Sequence, residues 1–486
     1  MKQLALRLIC AAFKTTPTTA LEIEASIPPI KLQIESHLRR CAIRFNKLSS
    51  TNPIIQRLPD EWRNNQKPTC PPPLPQRPRN SNSKANKAKT TTLLNIARFT
   101  SPAHERLNPY LLPPWRRTAE GYKGRLKIIP HTNGIDKETA TIQIKKHIAS
   151  LRHTPTSLLV FTDGSTIKKA GFQRTGAATI GYHENEEVFT IQMGLGGHAE
   201  EYDGEMAALM MAATQAVEYS NNHNEIQHIH FFSDSTAAVS SIFDPKPQSG
   251  QHYSHTFHVK IRAFLDTNPD ATVTINWCPA HQNIAGNEKA DERAREATNL
   301  ARTSPVGVTW SNAMRRARNA PLKLWLREWD KRPMEGRYAI SNRIRPSLKT
   351  TLRFRKLDDE REIFGRMVQC RSGHAYTGEF RQQFAPGEPT ACPCNNDTLE
   401  TREHIIIHCQ RYERHRDILR EAYQELSLPE IFGTPNGIDA LCEFLRQSGA
   451  FSRTGAVLKM QPQPLPENEP IPPIEDSDDE TPNDEG

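Results

Sequence analysis

Between residues 155 and 300 the apolar positions gather into short runs that alternate with segments of helical period. LLVFT (158–162), GAATIGY (176–182) and EVFTIQM (187–193) are rich in strand-favouring residues, and the polar pair Glu184 and Asn185 between the last two predicts a hairpin. EMAALMMAATQAVEY (205–219) has helical period, HIHFF (228–232) reads as a strand and STAAVSSIF (235–243) as a helix. VTINW (273–277) completes the strands, and GNEKADERAREATNLA (286–301) is a last helix. Five strands split by helices predict a mixed α/β sheet covered by helices.

The flanks follow other patterns. Residues 1–66 read as helical, with Ile34, Leu38, Cys41, Phe45 and Leu48 on one apolar stripe. MKQLALRLICAAFK is an amphipathic helix rather than a leader, because Arg7 interrupts its apolar stretch and no small-residue cleavage site follows. Residues 67–150 are a connecting segment that opens with a Pro-, Ser-, Asn- and Lys-rich linker; Lys84, Lys87 and Lys89 fit a solvated charged linker better than a nuclear address. Residues 151–301 hold the sheet, 302–460 a basic helical region, and 461–486 an acidic tail.

Composition sharpens this division. The net charge of +8 includes a tail with nine acidic residues and no basic ones, so the first 460 residues carry +17. Residues 302–356 contain fifteen Arg or Lys against three acids, a balance that points to nucleic acid. Trp325 and Trp329 lie four apart on one helix face there, a spacing found more often in a core than in a base-stacking platform. Apolar runs such as SLLVF and HIIIHC are far below the ~18 residues of a membrane helix. Nine cysteines without a secretory context are expected to be reduced, and the protein is expected in the nucleus or cytoplasm, neither secreted nor membrane-bound.

The chemistry concentrates in acidic residues. In VFTDGST, Asp163 closes an apolar run and precedes Gly164 and Ser165; a turn is the simplest reading of Asp-Gly taken alone. Asp234 follows HIHFF in the same way, which would bring two acids to the carboxyl ends of neighbouring strands. Glu205 opens the helix that carries Ala208, Leu209 and Ala212 on its own face, and Asp291 lies near the amino end of the last helix, where the dipole favours an anion. Four crowded carboxylates repel and require a cation, and oxygen donors select magnesium, with manganese as a substitute. Two such ions are a known device for cutting phosphodiesters. Glu200, Glu201 and Asp203 read as solvated or substrate-proximal charge.

The four segments FTDGST, EYDGEMAAL, FFSDSTAA and NWCPAHQNIAGNEKADERA together resemble the type-1 ribonuclease H family across about residues 155–300. The resemblance implies an RNase H-like mixed five-stranded sheet flanked by helices, and hydrolysis of the RNA strand of RNA–DNA hybrids. It assigns two magnesium ions to Asp163, Glu205, Asp234 and Asp291, and a mobile-loop role in product release or proton transfer to His281, otherwise an ordinary loop histidine. Gly164 and Ser165 would then let the backbone lie against the substrate strand.

Residues 4–60 resemble the segment after the polymerase in fungal non-LTR retrotransposon polyproteins, although no Y-x-D-D polymerase motif occurs, so a separate reverse transcriptase is an expected partner. QCRSGH (369–374) through CPCNNDTLETREHIIIHCQRY (392–412) resembles the same elements. There Cys392, Cys394, His404 and Cys409 have ligand types suited to a structural zinc ion in a small knuckle-like module, with His408 a competitor for Cys409 and an incidental cluster the alternative. Other functions to be distinguished are a catalytically idle remnant that binds nucleic acid, and a related DNA-acting fold, whose acid pattern the GNEKAD helix does not match.

Overall fold

The computed structural model describes residues 2–49, 51–57, 103–112, 119–122, 124–130, 135–169, 172–331, 343–348 and 360–452. The lysines of the linker, the acidic tail and most of 332–359 lie outside them. The chain divides into two units, residues 30–324 and residues 1–29 with 325–486.

Helices α1 (Lys2–Cys10) and α2 (Thr18–Glu24) belong to the discontinuous unit, and α3 (Ile30–Asn46) opens the continuous one. The stripe expected along α3 is only partly used: Leu38, Cys41, Phe45 and Leu48 pack on Ala42 and Ile55, whereas Ile34 is exposed.

The continuous unit is built on six strands rather than five, in the order β1-β6-β5-β2-β3-β4. The added edge strand β1 (Leu126–Ile129) pairs in parallel with β6 (Thr272–Trp277). It is followed by α4 (Lys137–Leu151), capped by Asp136, whose side chain accepts from Thr139 N. A strand and a helix of the sheet unit therefore lie inside the expected connecting segment, unnoticed because LKII is too short to stand out as a periodic run. The remaining strands are β2 (Ser157–Lys169), β3 (Phe172–His183), β4 (Glu186–Gly196) and β5 (His228–Ser233). Glu184 and Asn185 form the expected hairpin with positive φ values of 46° and 69°.

Side chains alternate across β2. Leu158 and Val160 face a core shared with α5 (Glu201–Asn222) and α7 (Gln251–Thr267), while Leu159 and Phe161 face α4 and α8 (Ala285–Ala297). Burial on both faces explains why LLVF reads as a continuous apolar run. The short helix α6 (Thr236–Ser241) follows β5. Helix α7, absent from the sequence-based element list, buries Tyr253, Phe257, Ile261, Phe264 and Leu265 along one stripe.

Asp203 is fully buried, which overturns its reading as solvated charge. With Glu200 it forms a capping box at the start of α5. Its carboxylate accepts from Glu200 N (2.8 Å), Ser249 Oγ (2.8 Å), Thr309 Oγ1 (2.6 Å) and Ser311 Oγ (2.7 Å). Nearby, Glu105 accepts from the backbone N–H groups of Gly250 (3.0 Å) and Trp310 (2.9 Å), and burial pushes its pKa up to about 7. These bonds tie residues 103–105 and the start of α9 (Trp310–Asp330) to the amino end of α5.

The discontinuous unit is helical, with α10 (Arg361–Arg371), α11 (Gly378–Phe384), α12 (Asp417–Ala422), α13 (Leu428–Gly433) and α14 (Pro435–Ser448). Leu6, Cys10 and Leu21 share its core with Phe364, Ile406, Phe432, Leu441 and Phe444. Glu24 forms a buried ion pair with Arg371 at 2.8 Å. Trp325 is fully buried, as its spacing favoured.

Replacing Asp203 by Ala strands four donors that now share one carboxylate. It is expected to lower the stability of the sheet unit by about 2–3 kcal/mol, read from hydrogen exchange of β2 and α5 amides. Exchange within 0.5 kcal/mol of wild type, a threshold at the small end of ordinary mutational effects, would contradict a positioning role for the network.

Candidate active site and metal centre

Asp163 does not end its strand. Strand β2 runs on to Lys169, paired antiparallel to β3 with Asp163 opposite Ala178. What ends at this point is the other ladder, since β2 and β5 pair in parallel only as far as Thr162 opposite Ser233. Asp163 and Asp234 are thus each the first residue beyond the last parallel pair, and the sheet opens between them. Thr162 Oγ1 closes that ladder by donating to Phe232 O at 3.2 Å.

Glu205 comes from α5, one turn inside a helix that begins at Glu201. A Cβ at Gly164 would lie 2.2 Å from Glu205 N and 2.4 Å from Gly204 C, so only glycine lets α5 come this close to β2. Gly164 is therefore required by packing, and its N–H also donates to the Glu205 carboxylate. Ser233 Oγ approaches Glu205 Oε2 at 3.5 Å.

One oxygen from each of Asp163, Glu205 and Asp234 lies within 4.8 Å of the other two. Asp163 and Glu205 are buried and Asp234 half-buried. Burial first, then the charges of Asp234 and Asp291, pushes Asp163 up to about 8. Glu205 is raised by burial and then by Asp163 and Asp234, and Asp234 by burial despite a hydrogen bond from Asn287. Asn287 is itself buried and accepts from the Cys278 thiol at 3.1 Å, while the Trp277 indole N–H donates to Asp234 O at 2.9 Å. Neither Asn287 nor Trp277 was singled out in the sequence; Asn287 is the second residue of GNEKAD and Trp277 closes the preceding strand, positions that the motif itself brings beside Asp234.

Asp291 groups with His281 and Glu288, whose ligand atoms also lie within 4.8 Å of one another. It is the seventh residue of α8, beyond the first turn in which a helix dipole acts, and the first-turn acid is Glu288. Its field still reaches Asp163 and Asp234. His281 sits in the loop before α8, exposed and with φ +54°.

Three oxygen donors this close, two of them buried and all raised in pKa, fit a hard divalent cation. The second cluster has soft donors. Cys392 Sγ lies 3.6 Å from Cys409 Sγ, and Cys394 Sγ 3.3 Å from His404 Nε2, with all four atoms within 4.8 Å. A tetrahedral ion with sulfur at about 2.3 Å and nitrogen at about 2.0 Å has edges of roughly 3.5–3.8 Å, close to these separations. A π-helical turn, His404–His408, carries His404 to Cys394 and leaves His408 exposed. The buried Arg416 donates to Ile406 O (2.9 Å) and to Cys409 O, fixing the end of that turn. Burial raises the Cys392 and Cys409 thiols and lowers His404, so the histidine is a neutral donor and the thiols must lose protons to bind.

The basic charge of residues 302–460 is less widespread than the composition implied. Residues 360–452 hold ten arginines, no lysine and fourteen acids. Within 302–331, Arg302 donates to Val306 O (2.6 Å), Arg315 pairs with Glu200 (2.6 Å) and Arg316 donates to Gly197 O (2.6 Å), so packing accounts for part of the excess.

A carboxyl whose folded pKa is raised binds more protons folded than unfolded, so its contribution to stability falls as pH rises from the unfolded value to the folded one. Metal-free protein is therefore expected to lose stability between about pH 4 and the value of about 8 reached by Asp163. Asp163→Asn should flatten that decline and raise stability at its upper end, measured by thermal unfolding in chelator; stability rising with pH over this window would contradict the crowding.

No curated protein matches the chain. Among solved structures, the chain is similar to RNase H1 from the halophilic archaeon Halobacterium salinarum NRC-1, with 19% identity over 30% of this chain and 99% of that one and a TM-score of 0.23. LC11-RNase H1 in complex with RNA/DNA hybrid gives 15% identity, 29% and 96% coverage and a TM-score of 0.23. Prototype Foamy Virus protease-reverse transcriptase gives 19%, 30% and 22%, with a TM-score of 0.23. The RNase H family model matches residues 155–299, the segment that carries β2 to β6, α8 and all four acids: this part of the chain is an RNase H domain.

Proposed function

We propose that the protein hydrolyses the RNA strand of RNA–DNA hybrids with two magnesium ions, manganese being a workable substitute. The observation that carries this reading is the set of three carboxylates within 4.8 Å where the β2–β5 ladder ends, inside the RNase H domain. Asp163, Glu205 and Asp234 would hold one ion, and Asp291, whose field reaches Asp163 and Asp234, would share the second with Asp163. Ions bound there supply an activated water and stabilise the leaving oxygen. The chain itself excludes water beneath the acids, orients Asp234 through Asn287 and Trp277, and keeps the exposed His281 beside Asp291, where it can move a proton or assist product release. The type-1 subclass, the fungal retroelement origin and a separate reverse transcriptase as partner rest on the quoted sequence motifs. The zinc cluster is a structural element in this reading. Because its unit has a large apolar core of its own, metal loss should loosen the ligand loops rather than unfold the unit.

Purified protein is expected to cut the RNA strand of a labelled hybrid only with magnesium or manganese. Asp234→Asn should slow cleavage by about three orders of magnitude or more, the scale of losing one member of a catalytic unit; a wild-type rate in that variant would overturn the metal-site assignment, and hybrid binding without cleavage by the wild type would favour an idle nucleic-acid-binding remnant.

Elemental analysis is expected to find one zinc per chain. Zinc-stripped protein resupplied with magnesium, or Cys394→Ser protein, should keep its cleavage rate yet be proteolysed sooner near residue 395. Unchanged proteolysis with no bound zinc would mark the four side chains as an incidental cluster.

A further inference from the structure

The acidic site has a cation of its own. Arg295 Nη2 donates to Asp291 Oδ2 at 2.6 Å, one turn further along α8. The other basic side chains of that helix are paired elsewhere, Lys289 with Glu187 and Arg293 with Glu296. The charge of Arg295 also reaches Asp163, against the burial that raises it. Its side chain is 57% exposed, so the pair adds little to stability, whereas the Asp291 side chain at its other end is only 17% exposed. The guanidinium occupies one of the oxygens that Asp291 would offer to an ion.

Resting on the metal reading above, we propose that Arg295 is a positioning residue that competes with the second metal ion for Asp291: it holds the carboxylate at the empty site, yields it when the ion binds, and so sets the metal concentration at which the site fills. No bond is made or broken in the exchange beyond one ion pair for one coordination contact.

The test is calorimetric titration of the full chain with manganese, without nucleic acid. Arg295→Gln should tighten the weaker binding event about two- to fivefold, the range to which an exposed ion pair amounts, and Arg295→Lys should stay near wild type. The gain should vanish when Arg295→Gln is combined with Asp291→Asn, because the competition passes through that carboxylate. An equal gain in the Asp291→Asn background would show that Arg295 acts only through its general field on the other acids, and no gain in either background would show a plain helix-surface pair; both overturn the proposal while leaving the metal centre standing. A wild-type chain that takes up no manganese would overturn both.

Discussion

Repulsion among buried carboxylates is the constraint around which the RNase H domain is organised. Asp163, Glu205 and Asp234 are brought together where their charged forms are poorly solvated, and the backbone must hold them against separation. Two features do so. The change of partner along β2, parallel to β5 up to Thr162 and antiparallel to β3 beyond it, opens the sheet at Asp163 without ending the strand. The approach of α5 onto Gly164 then drives Glu205 into that opening. Asp203, two residues before Glu205, anchors the helix end through three hydroxyls drawn from two other segments, one of them beyond residue 299, where the family match stops.

Asp163, Glu205 and Asp234 stood out because each is a charged residue set against an apolar run, whereas Asp291 lies in a polar helix and was singled out by the resemblance. The strand and helix order was legible for the same reason of contrast. Asp203 was not, because its burial depends on Ser249, Thr309 and Ser311, which lie 46 to 108 positions away and leave no local pattern. Strand β1 is too short for periodicity, and Gly164 could be read equally as a turn, a substrate contact or a packing site until α5 was placed against it.

Part of the basic charge serves the interior of the fold. Arg366, Arg371, Arg402 and Arg416 are all buried in the helical unit. Arg366 donates to Ala450 O (3.0 Å), Arg402 to Cys370 O (2.7 Å) and Arg416 to Ile406 O (2.9 Å). These guanidiniums crosslink backbone segments that have no sheet to satisfy them, a use of arginine that composition cannot separate from phosphate binding.

The discontinuity of the helical unit sets a timetable for synthesis. Glu24 and Arg371 are 347 positions apart, so at about 5–20 residues per second α1 and α2 wait roughly 17 to 70 seconds for the strands of sequence that complete their core. During that interval the RNase H domain can fold entirely, while Leu6, Cys10 and Leu21 lack the core partners that come from α10 onward. The unit that closes last is therefore the one with the longest exposure to chaperones and to wrong partners, and its two ends are joined in sequence by an RNase H domain already in its final form.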